Sequence, residues 1–81
     1  MNTVYVEYDG GINRALEEKI NTAASYDFGK ESDVKCDSGC CMFKPYTRDL
    51  LFRYESAQKA KNAEIKLREL DGVRVKITLE N

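Results

Sequence analysis

Apolar and polar residues alternate with a period of two at both ends of this chain. Val4, Val6 and Tyr8 interleave with Tyr5 and Glu7, and Val73, Val75, Ile77 and Leu79 interleave with Arg74, Lys76 and Thr78, the pattern of strands with one buried face. Thr3 to Tyr8 is therefore expected as a first strand. The turn Asp9-Gly10-Gly11 follows it, with an aspartate able to cap a helix start. From Ile12 the period lengthens: Ile12, Ala15, Leu16, Ile20 and Ala23 recur every three or four positions, leaving Arg14, Glu17, Glu18 and Asn21 for water. That helix should end by Tyr26, where Asp27-Phe28-Gly29 brings a stopping glycine and an aromatic anchor.

In the middle, Val34 and Cys36 suit one face of a second strand, Asp37-Ser38-Gly39 is turn chemistry, and Pro45 lacks the N–H that a central strand needs. A long or bulged connection across residues 38–47 is the expectation. Asp49 to Glu55 then reads as a third strand, with Leu50, Phe52 and Tyr54 on one face and Leu51 and Arg53 on the other. Ser56 is suited to cap a second helix whose inward stripe is Ala60, Ala63, Leu67 and Leu70; Asp71-Gly72 ends it, and the last strand runs to Glu80.

The order is βαββαβ. Short right-handed connections fold such a chain into a ferredoxin-like α+β sandwich: a four-stranded antiparallel sheet in the order 4-1-3-2, with both helices on one face. The other face is open, and the alternation assigns to it Tyr5, Glu7, Lys35, Leu51, Arg53, Arg74, Lys76 and Thr78. It reads as a basic surface around one tyrosine.

With 81 residues, one domain spanning 1–81 with one core is expected. No apolar run approaches the ~18 residues that a membrane-spanning helix takes, and no basic stretch leads into an apolar one at the N-terminus. A cytoplasmic protein without membrane contact is the resulting expectation. Histidine is absent, which removes the commonest general base and metal ligand and any Ser-His or Cys-His pair; a non-enzymatic protein without a cofactor is expected. The formal charge of −1 conceals an uneven distribution, net −4 over residues 1–40 and +3 over residues 41–81.

Three cysteines, Cys36, Cys40 and Cys41, are an odd number crowded into six positions. This suits reduced thiols better than a disulfide framework. With Asp37 they could in principle surround a zinc or copper ion, but no second cysteine pair answers the first, so no metal site is assigned.

Three uses compete for the surface. Val4-Tyr5-Val6 resembles the first-strand motif of RNA recognition motifs and puts Tyr5 where a base-stacking ring would stand. That resemblance implies nucleic-acid binding by Tyr5, Lys35, Arg53, Arg74 and Lys76. The third strand, Arg48-Asp49-Leu50-Leu51-Phe52-Arg53-Tyr54, departs from it: the phase turns Phe52 and Tyr54 inward, and Asp49 stands where the motif has glycine. Asp9-Gly10-Gly11 after the first strand resembles the glycine turn of ACT-type regulatory domains, which implies a small-ligand site there; a sharp strand-to-helix turn also accounts for the glycines. Finally, the topology gathers the first strand-to-helix turn, the central connection and the turn before the last strand at one end of the sheet. Asp9, Asp37 and Asp71 are expected there with Cys40, Cys41, Phe43 and Tyr46, an acidic and partly apolar rim suited to a protein partner. The leading expectation is a small protein-binding module of adaptor or inhibitor type, of the kind phages and mobile elements encode, acting as a monomer or homodimer through the 38–47 loop or an exposed sheet edge.

Overall fold

The computed structural model describes residues 2–26, 34–40 and 46–80. Within them lie β1 (Asn2–Asp9), α1 (Arg14–Ala23), β2 (Lys35–Cys40), β3 (Thr47–Tyr54), α2 (Ala57–Arg68) and β4 (Val73–Thr78). The strands form one sheet in the order β2-β3-β1-β4, every neighbouring pair antiparallel. This is the ferredoxin-like βαββαβ sandwich that the alternation predicts.

Its core follows directly from the pleat. Val4, Val6 and Tyr8 of β1 and Leu50, Phe52 and Tyr54 of β3 are buried together beneath Ile20 and Ala24 of the first helical segment and Ala60, Ala63 and Leu67 of α2. The small side chains early in α2 let its backbone lie against β1, β3 and β4. Ser56 caps α2 by accepting from the Lys59 N–H at 3.1 Å. Tyr54 donates its hydroxyl to the Ala24 carbonyl at 2.6 Å, fastening the end of α1 to β3.

Four local expectations are corrected. Asp37, Ser38 and Gly39 are not a turn: they extend β2 and pair with Leu51, Leu50 and Asp49. Cross-strand pairing overrides their turn preference, and a Cβ at Gly39 would stand 2.8 Å from the Asp49 carboxylate, so a side chain there would require that carboxylate to swing aside. The central connection is accordingly shorter than residues 38–47, because β3 begins at Thr47, opposite Asp9. The α1 cap is Asn13, not Asp9; its side chain accepts from the Leu16 N–H at 3.1 Å. Starting the helix at Arg14 leaves Ile12 before the first turn and 63% exposed, and Ala15 is exposed as well. The expectations for Asp27, Phe28, Gly29, Cys41, Phe43 and Pro45 fall outside the described residues.

Candidate functional site

The sheet end where β1 leaves and β3 enters is built around the hydroxyl of Tyr8. The Tyr8 ring is core, but its oxygen donates to Glu17 Oε2 at 2.5 Å and accepts from the Asn13 N–H at 2.9 Å. Arg48 of β3 closes the cluster with two parallel bonds to the same carboxylate, Nε to Oε2 at 3.0 Å and Nη2 to Oε1 at 3.1 Å. A planar guanidinium matches a carboxylate in this fork-to-fork manner. Its remaining nitrogen, Nη1, reaches the Gly39 carbonyl at 3.4 Å and Cys40 Sγ at 3.6 Å. One arginine thus ties α1, β2 and β3 together. Both partners are largely covered, with side-chain exposures of 13% for Arg48 and 15% for Glu17. Burial, the largest single influence on Glu17, pushes its carboxyl up, but the hydrogen bonds from Arg48 and Tyr8 and the arginine's charge outweigh it and hold the group below the ordinary glutamate range.

On the outside of this cluster the chain presents apolar groups. Gly10, at φ +95°, donates its N–H to the Tyr46 carbonyl at 2.8 Å, which fixes the β1 turn against the entry to β3. Tyr46 is 49% exposed and Ile12, two residues beyond Gly10, is 63% exposed. The sequence pattern singled out Tyr46 but assigned Ile12 to the core. The three- and four-residue spacing that put it there holds only inside a helix, and the helix starts later.

The open face carries a different arrangement. Its residues stand in rows across β2, β3, β1 and β4: Lys35, Arg53, Thr3 and Thr78; then Asp37, Leu51, Tyr5 and Lys76; then Gly39, Asp49, Glu7 and Arg74. Tyr5, Lys35, Arg53, Arg74 and Lys76 are brought to one face as the alternation predicts. The face is not basic, however. Asp37 and Asp49 share it, and arginine and carboxylate pair off: Arg53 with Asp37, and Arg74 Nη2 with Glu7 Oε1 at 2.6 Å and Asp9 Oδ1 at 3.0 Å. The Tyr5 hydroxyl lies 3.1 Å from Glu7 Oε2 and 3.3 Å from Asp49 Oδ2, so its single proton is shared between two acceptors. Burial first, then the hydrogen bond to Glu7 and the two negative charges, raise Tyr5 to about 12. Reading Asp37 as a turn residue, and leaving Asp49 off this face, concealed the balance.

The proposed rim is only partly assembled. Asp9 and Asp71 lie at the same sheet end, but Asp37 sits within β2, on the open face opposite Leu51. Cys40 is exposed at the end of β2, not on a loop, and Cys36 lies on the same side of that strand. Burial, with help from the Asp37 charge, pushes the Cys36 thiol up to about 11, so this sulfur is a poor thiolate at neutral pH. Among the described residues no group of three or more cysteine, aspartate or glutamate side chains is placed to hold a metal ion. No helix of the described residues is long and apolar enough to cross a membrane.

No family model matches the sequence, and no curated protein matches it. Solved structures do match its fold. The de novo designed protein Foldit4 superposes with a TM-score of 0.66 at 16% identity, over 99% of this chain and 98% of that one. The ACT domain from GTP pyrophosphokinase of Chlorobium tepidum superposes with a TM-score of 0.54 at 14% identity, over 99% of this chain and 86% of that one. At these identities the likeness is one of fold.

Proposed function

We propose that the protein is a small non-enzymatic binding module that engages a protein partner through the sheet end bearing Ile12, Tyr46 and Cys40. The observation that carries this reading is the exposure of Ile12 and Tyr46 on backbone held by the Gly10–Tyr46 hydrogen bond, beside the Tyr8–Glu17–Arg48 cluster. Apolar and aromatic groups fixed before binding lose little entropy when covered, and such groups dominate protein interfaces. The charge balance of the open face speaks against the nucleic-acid alternative: a backbone-binding surface needs uncompensated cations, and here Arg53 and Arg74 already face carboxylates.

Affinity capture from the source cell, quantified by mass spectrometry, tests the reading with three baits: wild type, the double variant Ile12→Glu/Tyr46→Glu, and Arg74→Glu. A protein retained by wild type and Arg74→Glu but lost from the double variant supports it. Retention by all three, or loss with Arg74→Glu alone, overturns it, as does a labelled oligonucleotide that binds wild type with strong salt dependence.

A second reading, a small-ligand regulatory domain, is favoured by the fold likeness to an ACT domain together with the open space around Gly10 and Gly11, where nothing lies within 4 Å of a built Cβ. A rise in melting temperature with one member of a small-metabolite panel, abolished by Gly11→Val, is its expected sign.

A further inference from the structure

The two edges of the sheet are charged in opposite ways with respect to themselves. On β4 the open-face residues are Arg74, Lys76 and Thr78. A second β4 laid antiparallel about Arg74, Val75 or Lys76 would oppose arginine to arginine, arginine to lysine or lysine to lysine, which is destabilising in cross-strand pairs and protects that edge. On β2 the open-face residues are Lys35, Asp37 and Gly39, and among the described residues no strand pairs with the outer side of this edge. Lys35 is exposed and, among the described residues, takes part in no ion pair, while the Asp37 side chain, though bonded to Arg53, remains 60% exposed.

We infer that β2 is a homodimerisation edge, pairing antiparallel with β2 of a second copy about a two-fold axis through Cys36. In that register Lys35 of each copy stands directly opposite Asp37 of the other. The exposed lysine thereby gains a carboxylate, and each aspartate bridges Arg53 of its own chain and the lysine across the axis. Val34 stands opposite Ser38, and Cys36 opposite its own copy. The neighbouring register about Asp37 would oppose two aspartates, and the one about Ser38 would leave Lys35 with no carboxylate opposite. Charge complementarity therefore selects both the occupant and the register. The strand suits such pairing: it has six residues, no proline and a glycine near its end, and the backbone of neither helix approaches it. This interface is separate from the Ile12 and Tyr46 surface, so either can fail without the other.

Sedimentation equilibrium on the full chain tests the proposal with Lys35→Asp, Asp37→Lys and their equimolar mixture, after circular dichroism has confirmed that each variant is folded. Wild type self-associates to a dimer. Each variant alone opposes like charges twice and dimerises at least about tenfold more weakly, whereas the mixture restores opposite charges at both positions and recovers the dimer. A second readout uses Cys36 as the single cysteine, in Cys40→Ser/Cys41→Ser, oxidised with diamide at alkaline pH because its raised thiol is little ionised near neutrality: cross-strand Cα atoms about 4.5–5.5 Å apart lie within disulfide range, so a covalent dimer is trapped. A wild type that stays monomeric at the highest concentration overturns the inference. So does a mixture no tighter than its components, or a Cys36 dimer that fails to form. Growth beyond a dimer that Lys76→Glu suppresses overturns it as well, because that outcome identifies β2-to-β4 stacking.

Discussion

Two arginine–carboxylate arrangements occupy opposite sides of the same sheet, one a covered fork-to-fork pair and the other an exposed arginine between two carboxylates. On the helix side, Arg48 grips Glu17 at 3.0 Å with both groups nearly covered; on the open side, Arg74 reaches Glu7 at 2.6 Å with more than half of its own side chain in water. The shorter contact is the weaker fastener. Water and salt screen the open-side charges, and long side chains lose entropy when held in one geometry, so an exposed pair contributes little. The covered pair has exchanged its hydration for Tyr8, Arg48 and the backbone, and removing one member strands the other. Coverage, not distance, tells which pair positions the binding end and which merely balances a solvated surface.

The largest expected effect is therefore on the helix side. Glu17→Ala should cost about 3 kcal/mol by leaving the Arg48 guanidinium unpaired, and in a domain of this size lower Tm by more than about 10 °C; thermal denaturation followed by circular dichroism measures it. A loss no greater than that of an exposed glutamate such as Glu69 would break the comparison.

Acid should act through the same group. Because Glu17 titrates lower in the folded protein than in the unfolded chain, its contribution is complete above the unfolded value of ~4.3 and is lost as pH falls through the folded value. A Tm series from neutral pH downward should show a steeper acid decline for wild type than for Glu17→Gln, which has no carboxyl to protonate there.

On the open face the expected changes are local. Gly39→Ala forces the Asp49 carboxylate aside, since the new Cβ would lie 2.8 Å from it. One of the acceptors and one of the charges that raise Tyr5 are then displaced. Its pKa should fall part of the way from about 12, with burial and Glu7 still acting, and tyrosinate absorbance on alkaline titration records the shift. The smallest effect belongs to Arg74→Ala, for which Tm at moderate salt should be indistinguishable from wild type.

The fold was legible because both strand-bearing ends alternate cleanly and because Ser56 and Asp71-Gly72 punctuate α2 where a helix must start and stop. The sites were less so. Asp37-Ser38-Gly39 carries local turn chemistry, and only its pairing with β3, a contact distant in sequence, makes it strand and brings Asp37 to Arg53. Asp49 was readable in principle: its position two residues before Leu51 puts it on the open face, where it offsets the charge that Arg53 brings. The Tyr8–Glu17–Arg48 cluster left no local signal. A buried tyrosine looks like any core aromatic, and Glu17 like any solvated helix glutamate, until the topology sets Arg48 opposite Tyr8.

If the covered cluster holds the Ile12 and Tyr46 end in place, its loss should loosen that end before the rest of the sheet. Amide hydrogen exchange by NMR at Gly10, bonded to the Tyr46 carbonyl, and at Asn13, bonded to the Tyr8 hydroxyl, tests this directly. Glu17→Gln should speed exchange at those two amides well beyond its effect on the amides of β1 and β3, and Arg74→Ala should leave them unchanged. Equal acceleration throughout the sheet, or no response at Gly10 and Asn13, would contradict the account.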